Sequence, residues 1–510
     1  MVRAFPGPGW PARWPRGADY TRHVSRTARA IALPAPLARI RLPGDRSWLV
    51  LLPALFCATL VGVALAIDVP LGIALLIAVC YVPILLVNLP LAIALWVPLI
   101  FLQGVPALNF GSDVAGILLI VAWLGNRRAL RDLALPIIRE HRGTLTGLAG
   151  LIAWLTISLA WADDPALASD DVVRWGALAL LFLVVATTVT TTTSIRWVCL
   201  FFVAGAAMSV VLGVLDGSLT SAVEGGARVE GGAGDPNFLA SSIIAAVALA
   251  GGVLPGTRQP VIRLALLAAI VLLVAGLVGS GSRGGTLAAA VAMVAAVIVF
   301  KGRRAPVIAA AAVLVSIAAL TFASAPAAYE RVTDFDNDNG RSDLWYIAWE
   351  MGKDRPVNGV GLNNFTLHSG DYVQEPGQLQ AVGNIVEDPH FVHNTYLQLF
   401  AEGGIPALAL FLVVVSGCLG AAIRAGEAFQ HAGDASLEIL ARSIVVGIVS
   451  ILAAGMFLSA ELDARLWLLL ALGPGLLAAA TTRSRRATAT AQLASEGAAE
   501  RPLARTLRRA

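Results

Sequence analysis

Side chains able to handle an anionic substrate gather between Ala325 and His393, a long polar segment in a sequence otherwise built of apolar runs. It holds Arg331, Arg341, Lys353, Arg355, His368, His390 and His393, with acids such as Asp334, Asp336, Asp338, Asp343 and Asp388. A guanidinium is always charged and presents a planar fork that matches phosphate oxygens, and an imidazole titrates close enough to neutrality to serve as a base. Arg341 heads a stretch in which Leu344, Trp345, Ile347, Ala348 and Met351 recur at helical spacing, which predicts an amphipathic helix with the arginine in its first turn. A cation is unfavourable beside a helix N-terminus, so an anionic ligand would relieve the arrangement; pairing with neighbouring aspartates is the local alternative. Arg283, in Gly279-Ser-Gly-Ser-Arg-Gly-Gly285, opens another apolar run. It either snorkels at the bilayer margin or meets a phosphate at headgroup level, and its small neighbours, which leave the guanidinium uncovered, favour the phosphate. His393 stands where the chain re-enters an apolar run, a place where a base could meet an acceptor hydroxyl.

Metal chemistry fits these residues less well. His390 and His393 are three apart with His368 upstream, but no His-Glu-x-x-His pattern exists. The alternation Asp334-x-Asp336-x-Asp338 would need Gly and Glu at the sixth and twelfth positions of a calcium loop, where Asn339 and Trp345 stand, so a turn and helix cap is the expectation. Pro356-Val-Asn-Gly359-Val-Gly361 has neither the glycine pattern nor the preceding strand of a phosphate loop or dinucleotide fingerprint, and predicts a tight turn with close backbone approach. Asp163, Asp164, Asp170 and Asp171 are acid candidates by position, or simply a solvated loop.

These groups must be held by apolar elements. The 510 residues are 57% hydrophobic and 14% charged, with mean hydropathy +0.76, values of an all-α, polytopic integral membrane protein. A net charge of +4, carried in short patches, does not suit a nucleic-acid partner. Cys57, Cys80, Cys199 and Cys418 each fall inside an apolar run and suggest neither disulfides nor a zinc site. Runs of spanning length give about 12 to 14 transmembrane helices, starting near Trp48, Val69, Pro90, Asp113, Gly143, Val172, Ile195, Pro236, Pro260, Arg283, Arg304, Asn394, Leu437 and Arg465. The expected organisation is a disordered cytoplasmic tail over 1–47, helices over 48–324, a large extracytoplasmic catalytic loop over 325–393, helices over 394–482 and a second cytoplasmic tail over 483–510. With both termini in the cytoplasm, the basic clusters at 127–142 and 301–304 fall on the cytoplasmic side and the long loop faces out.

Several stretches together resemble the superfamily of O-antigen ligases and Wzy-type O-antigen polymerases. They are Ser282-Arg283-Gly284, Arg341 ahead of Trp345, Pro356-x-x-Gly359-x-Gly361-x-x-x-Phe365, and His393-Asn394-x-Tyr396-Leu397 leading to Glu402-x-Gly404. Two earlier ones match as well: Leu159-Ala-Trp-Ala-Asp-Asp-Pro165, and Arg228-x-x-Gly-Gly-x-Gly-Asp235-Pro236-Asn237. The resemblance runs from about Gly143 to Ala480. It implies a GT-C-like glycosyltransferase of the inner (plasma) membrane, independent of metals and cofactors. Such an enzyme moves a glycan from an undecaprenyl diphosphate carrier to a hydroxyl of a lipid core, protein or cell-wall glycan. By the same resemblance Arg283 and Arg341 would bind the departing diphosphate and His393 would act as, or orient, the base. Arg228, Asp235, Asn237, Gly359, Gly361 and Asn394 would contribute to substrate binding. A repeat-unit polymerase is the close alternative and a multi-spanning transporter or flippase the distant one. A transporter would more often place ionisable groups in mid-span.

Overall fold

A computed structural model describes residues 48–126, 135–215, 220–223, 226–334, 340–373, 379 and 390–506. The expected tail over 1–47 and Arg127, Arg128, Arg131, Asp336, Asp338 and Asp388 lie outside the described residues. The contacts divide the chain into two units, Met1–Gly72 and Ile73–Ala510. In the first, α1 (Trp48–Ile67) is apolar throughout. Helix α2 (Val69–Val87) begins in the first unit and ends in the second.

The second unit is a helical bundle. Its elements are α3 (Leu89–Trp96, continued by a 3-10 turn Val97–Phe101), α4 (Pro106–Gly125), α5 (Leu135–Glu140), α6 (Arg142–Ile157), α7 (Pro165–Thr188) and α8 (Thr192–Leu215). A two-stranded antiparallel hairpin follows, β1 (Thr220–Val223) and β2 (Gly226–Val229), with Ser221 opposite Arg228. Then come α9 (Pro236–Val253), α10 (Pro260–Ser280), α11 (Arg283–Val299) and α12 (Arg304–Ser324). The polar segment contributes α13 (Pro326–Thr333), α14 (Arg341–Asp354) and α15 (Phe365–His368) before α16 (Thr395–His431), α17 (Ala435–Ala454) and α18 (Ala464–Thr506).

Among the described residues nine helices are long and apolar enough to cross a membrane, and five shorter apolar ones cover 56–67, 75–87, 89–101, 111–125 and 283–299. Together they occupy the apolar runs picked out in the sequence. Helix α18 runs on to Thr506, through the stretch expected to be a tail without structure. Its Ala, Arg, Glu and Leu are strong helix formers, and composition of that kind favours helix over coil.

Sequence punctuation sets the helix starts. Asp164 accepts from the backbone of Ala166 and Leu167, with Pro165 in the first turn of α7. Asp235 caps α9 in the same way ahead of Pro236, Ser282 caps α11, Asn394 caps α16 and Asp434 caps α17. An N-cap oxygen satisfies amides that have no partner in the helix, and proline has no amide to lose there. Helix α14 buries Leu344, Ile347, Ala348 and Met351, the face predicted from spacing.

Helix α16 is broken in mid-course, where Gly404 adopts φ +67° and Pro406 follows. Backbone groups freed within a membrane must find partners in the protein. Here the turn after α14 supplies them: Val360 donates to Ala401 O (2.9 Å), Gly361 to Glu402 O (3.0 Å), and Ile405 donates to Pro356 O (2.8 Å). Trp154 Nε1 donates to Gly403 O at 2.7 Å. The same turn is pinned from its other side, where Trp161 Nε1 donates to Asn358 O (3.1 Å) and the amide of Asp164 donates to Asn364 Oδ1 (2.8 Å).

Candidate functional site

A cluster of cations forms at the bundle end where α8 stops, α11 and α16 start, and the polar segment lies. Arg228, carried on β2, donates from Nε to Ser280 O at 2.8 Å and from Nη2 to Asn237 Oδ1 at 3.3 Å. Ser282 Oγ donates to the same Asn237 oxygen at 2.7 Å, so one amide ties the arginine to the start of α11. Between Ser280 and Ser282 the chain turns at Gly281, φ +56°. A methyl group there would lie 3.1 Å from Arg331 Cδ and 3.9 Å from Arg228 Nε. Glycine therefore satisfies the left-handed turn and lets two arginine side chains converge over it. Burial lowers the pKa of Arg228 from its ordinary value; the charge of Arg331 adds to this, Asp235 opposes it, and Arg341 adds again. Like charges this close disfavour one another unless an anion lies among them.

His393 shares that field. Its pKa is lowered from the usual histidine value by burial and then by Arg341, against the attraction of Asp235, with His390 lowering it further. The result is a neutral imidazole at neutral pH, the form able to accept a proton. His393 holds φ +52°, a region that a non-glycine residue occupies at some cost and only when its surroundings enforce it. The enforcement is visible: Val392 N donates to Gln398 Oε1 (3.2 Å), while Thr395 N donates to Gly455 O and Leu458 O, both at 2.8 Å.

The turn from Gly455 to Asp463 acts as a base plate for the cluster. Besides holding Thr395 it presents Phe457, whose ring is 6.0 Å from that of Trp345 on the Arg341 helix. Phe457 also closes on Gly284, where an added methyl would lie 2.7 Å from its Cβ. Asp463 holds Arg465 Nε at 2.8 Å, and that guanidinium stacks 5.6 Å from the Phe238 ring and 5.8 Å from Phe101. The turn thus touches the elements that carry Arg283, Arg341 and His393, and through Arg465 at the start of α18 it reaches the one that carries Asn237.

The sequence-derived residues divide. Arg228, Asp235, Asn237, Arg341 and His393 belong to one linked group. Arg283 lies beside it, with Nη1 donating to the carbonyl of Asp334 at the end of α13, an anchorage that suits a cation at a helix C-terminus. Asn394 uses its side-chain oxygen to cap α16, accepting from Tyr396 (3.0 Å) and Leu397 (3.1 Å). Gly359 (φ +66°) and Gly361 (φ +101°) are elsewhere, pressed against the Glu402 backbone and Ala162 at the break in α16. Of the acidic candidates, Asp164 caps α7, Asp171 pairs with Arg174 at 3.3 Å and Asp163 Oδ2 lies 2.9 Å from His368 Nε2. Sequence counted Arg331 among the cations of the polar segment without giving it a role, since no motif surrounds it, and gave none to the Gly455–Asp463 turn, whose Phe457 reads as one more apolar residue near a span.

Beside the cluster an apolar groove of about 1120 Å³ runs between α12 and the faces of α9, α10, α11 and α17. Pro326 and Tyr329 of α13 line it near the cations, and Arg303 lines its opposite end. Among the described residues no three of His, Cys, Asp and Glu gather closely enough to hold a metal ion.

A search of curated proteins returned no match. Residues 268–412, from within α10 into α16, match the model of the family described as O-antigen ligase. That stretch contains Arg283, Arg331, Arg341 and His393, and its match supports placing this multi-pass membrane protein in the O-antigen ligase superfamily.

Proposed function

We propose that the protein transfers a glycan from a polyprenyl diphosphate carrier to an acceptor hydroxyl at the outer face of the plasma membrane. The observation that carries this reading is the approach of Arg228 and Arg331 over Gly281, in the field of Arg341, whose charge also helps to hold His393 neutral. In the reaction, the acceptor oxygen forms a bond to the anomeric carbon as the bond from that carbon to the diphosphate oxygen breaks. His393 takes the hydroxyl proton, and the electron pair of the broken bond stays on the diphosphate. Charge that grows on phosphate oxygens meets guanidinium groups already fixed in place, so they favour the transition state over the bound substrate. Asn237 holds Arg228 in place, and Asp235, attractive to both Arg228 and His393, balances the positive field. The apolar groove suits the carrier's hydrocarbon chain, and the excess of Lys and Arg at the opposite bundle end supports a cytoplasmic location for that end.

The test is reconstitution of the purified protein with an undecaprenyl diphosphate glycan and separate acceptors: a lipid core, a protein, a cell-wall glycan, and a second lipid-linked repeat. EDTA is present throughout and products are identified by mass. Transfer to one of the first three acceptors supports a ligase. Transfer to the lipid-linked repeat alone makes the protein a polymerase, and no transfer with donor consumption also absent overturns the reading.

A further inference from the structure

Resting on that reading, we infer that Arg331 grips the phosphate next to the polyprenyl chain, which makes α13 the joint between the groove for the chain and the cations for the diphosphate. Tyr329 and Arg331 are two residues apart, about 200° around an α-helix, so they leave α13 on opposite sides. Tyr329 lines the apolar groove together with Pro326. Arg331 turns the other way, its Cδ 3.1 Å from the methyl position of Gly281 and close to Arg228 Nε over the same turn. The far end of the helix is fastened by Arg283, which donates to the Asp334 carbonyl. Eight residues thus present an aromatic side to hydrocarbon and a guanidinium to the neighbouring cation cluster.

In a lipid-linked donor the order is fixed covalently: chain, first phosphate, second phosphate, sugar. A chain lying in the groove past Tyr329 brings its first phosphate to Arg331 and Arg228. Arg341, whose charge bears on both Arg228 and His393, is assigned the phosphate that carries the sugar. Arg331 contributes binding at a phosphate that stays with the lipid throughout, and Arg341 meets charge that appears as the glycosidic bond breaks.

The experiment measures binding of undecaprenyl phosphate and undecaprenyl diphosphate, neither bearing a glycan, to the full chain in detergent. Arg331→Gln is expected to weaken both about 10-fold, the scale of one charge-assisted contact. Arg341→Gln is expected to weaken the diphosphate similarly and leave the monophosphate within about twofold. Arg331→Lys, which keeps the charge and loses the fork, should fall between wild type and Arg331→Gln. The assignment is overturned if Arg331→Gln leaves monophosphate binding unchanged, or if the two variants lose both ligands equally. Should Arg331→Gln fail to fold, Arg331→Lys decides alone, and monophosphate binding equal to wild type in that variant overturns the assignment. Wild-type protein that binds neither compound refutes the polyprenyl diphosphate reading itself, a result distinct from wild-type binding that Arg331→Gln does not alter.

Discussion

Arg442 and Arg228 stand toward opposite ends of the same bundle and meet opposite neighbours. Arg442 Nε lies 3.0 Å from Glu438 Oε1, its Nη1 donates to the Val299 carbonyl and its Nη2 donates to Gln430. Glu438 is shared with Arg303 at 3.7 Å, and nearby Arg483 Nη2 lies 2.8 Å from Asp434. Around Arg228, by contrast, the strongest charged influence is another arginine, Arg331. Paired charges of the first kind hold helices together; converging like charges of the second kind oppose folding and are retained where a ligand will complete them. One residue type therefore serves as a brace at one end and, in the proposed reading, as a receptor at the other.

Substitutions at the two ends should fail differently. Arg341→Gln and His393→Ala are expected to lower glycan transfer by roughly 10²- to 10⁴-fold while leaving thermal unfolding near wild type, measured by mass-resolved product formation alongside a melting curve. Equal losses of stability and activity would erase the distinction. Glu438→Ala should do the reverse, costing on the order of 3 kcal/mol because the largely buried Arg442 guanidinium loses its partner, with transfer per folded molecule retained. A subtler effect concerns protonation. Because His393 titrates below the ordinary histidine value, activity should persist as pH falls through that value and decline only below it. Replacing Arg341 with Gln removes a charge that repels the imidazolium, so the His393 titration followed by NMR should move upward; no movement would separate Arg341 from His393. The smallest effect is expected for Asp434→Asn, under about 1 kcal/mol, since its partner Arg483 is half-exposed and screened by water.

Much of this was legible in the order of residues. The helix behind Arg341 followed from apolar spacing, and the spans expected from near Pro236 and Arg283 start there, whereas the span expected from Val172 starts at Pro165, because Asp164 caps it a few residues earlier. What one motif does relative to another was not legible. Leu159–Pro165, Pro356–Phe365 and Glu402-x-Gly404 resemble family signatures as strongly as the cationic ones, yet in space they meet each other at the break in α16. Gly359 and Gly361 are explained there by backbone approach to Glu402 and Ala162. Nor does any local pattern announce Arg331 or Phe457, whose significance comes from Gly281 and Gly284, each some tens to hundreds of residues away along the chain.

The interrupted helix α16 also constrains how the layer that carries the cation cluster can move. Hydrogen bonds cross from the Pro356–Gly361 turn to both halves of the break, and two tryptophans fasten it from the side. Any opening that admits a bulky sugar must leave this weld intact or break several bonds in apolar surroundings at once. Amide hydrogens of Val360, Gly361 and Ile405 should therefore exchange with deuterium as slowly as those of the deepest helices, so that the turn travels with the bundle as a fixed lintel.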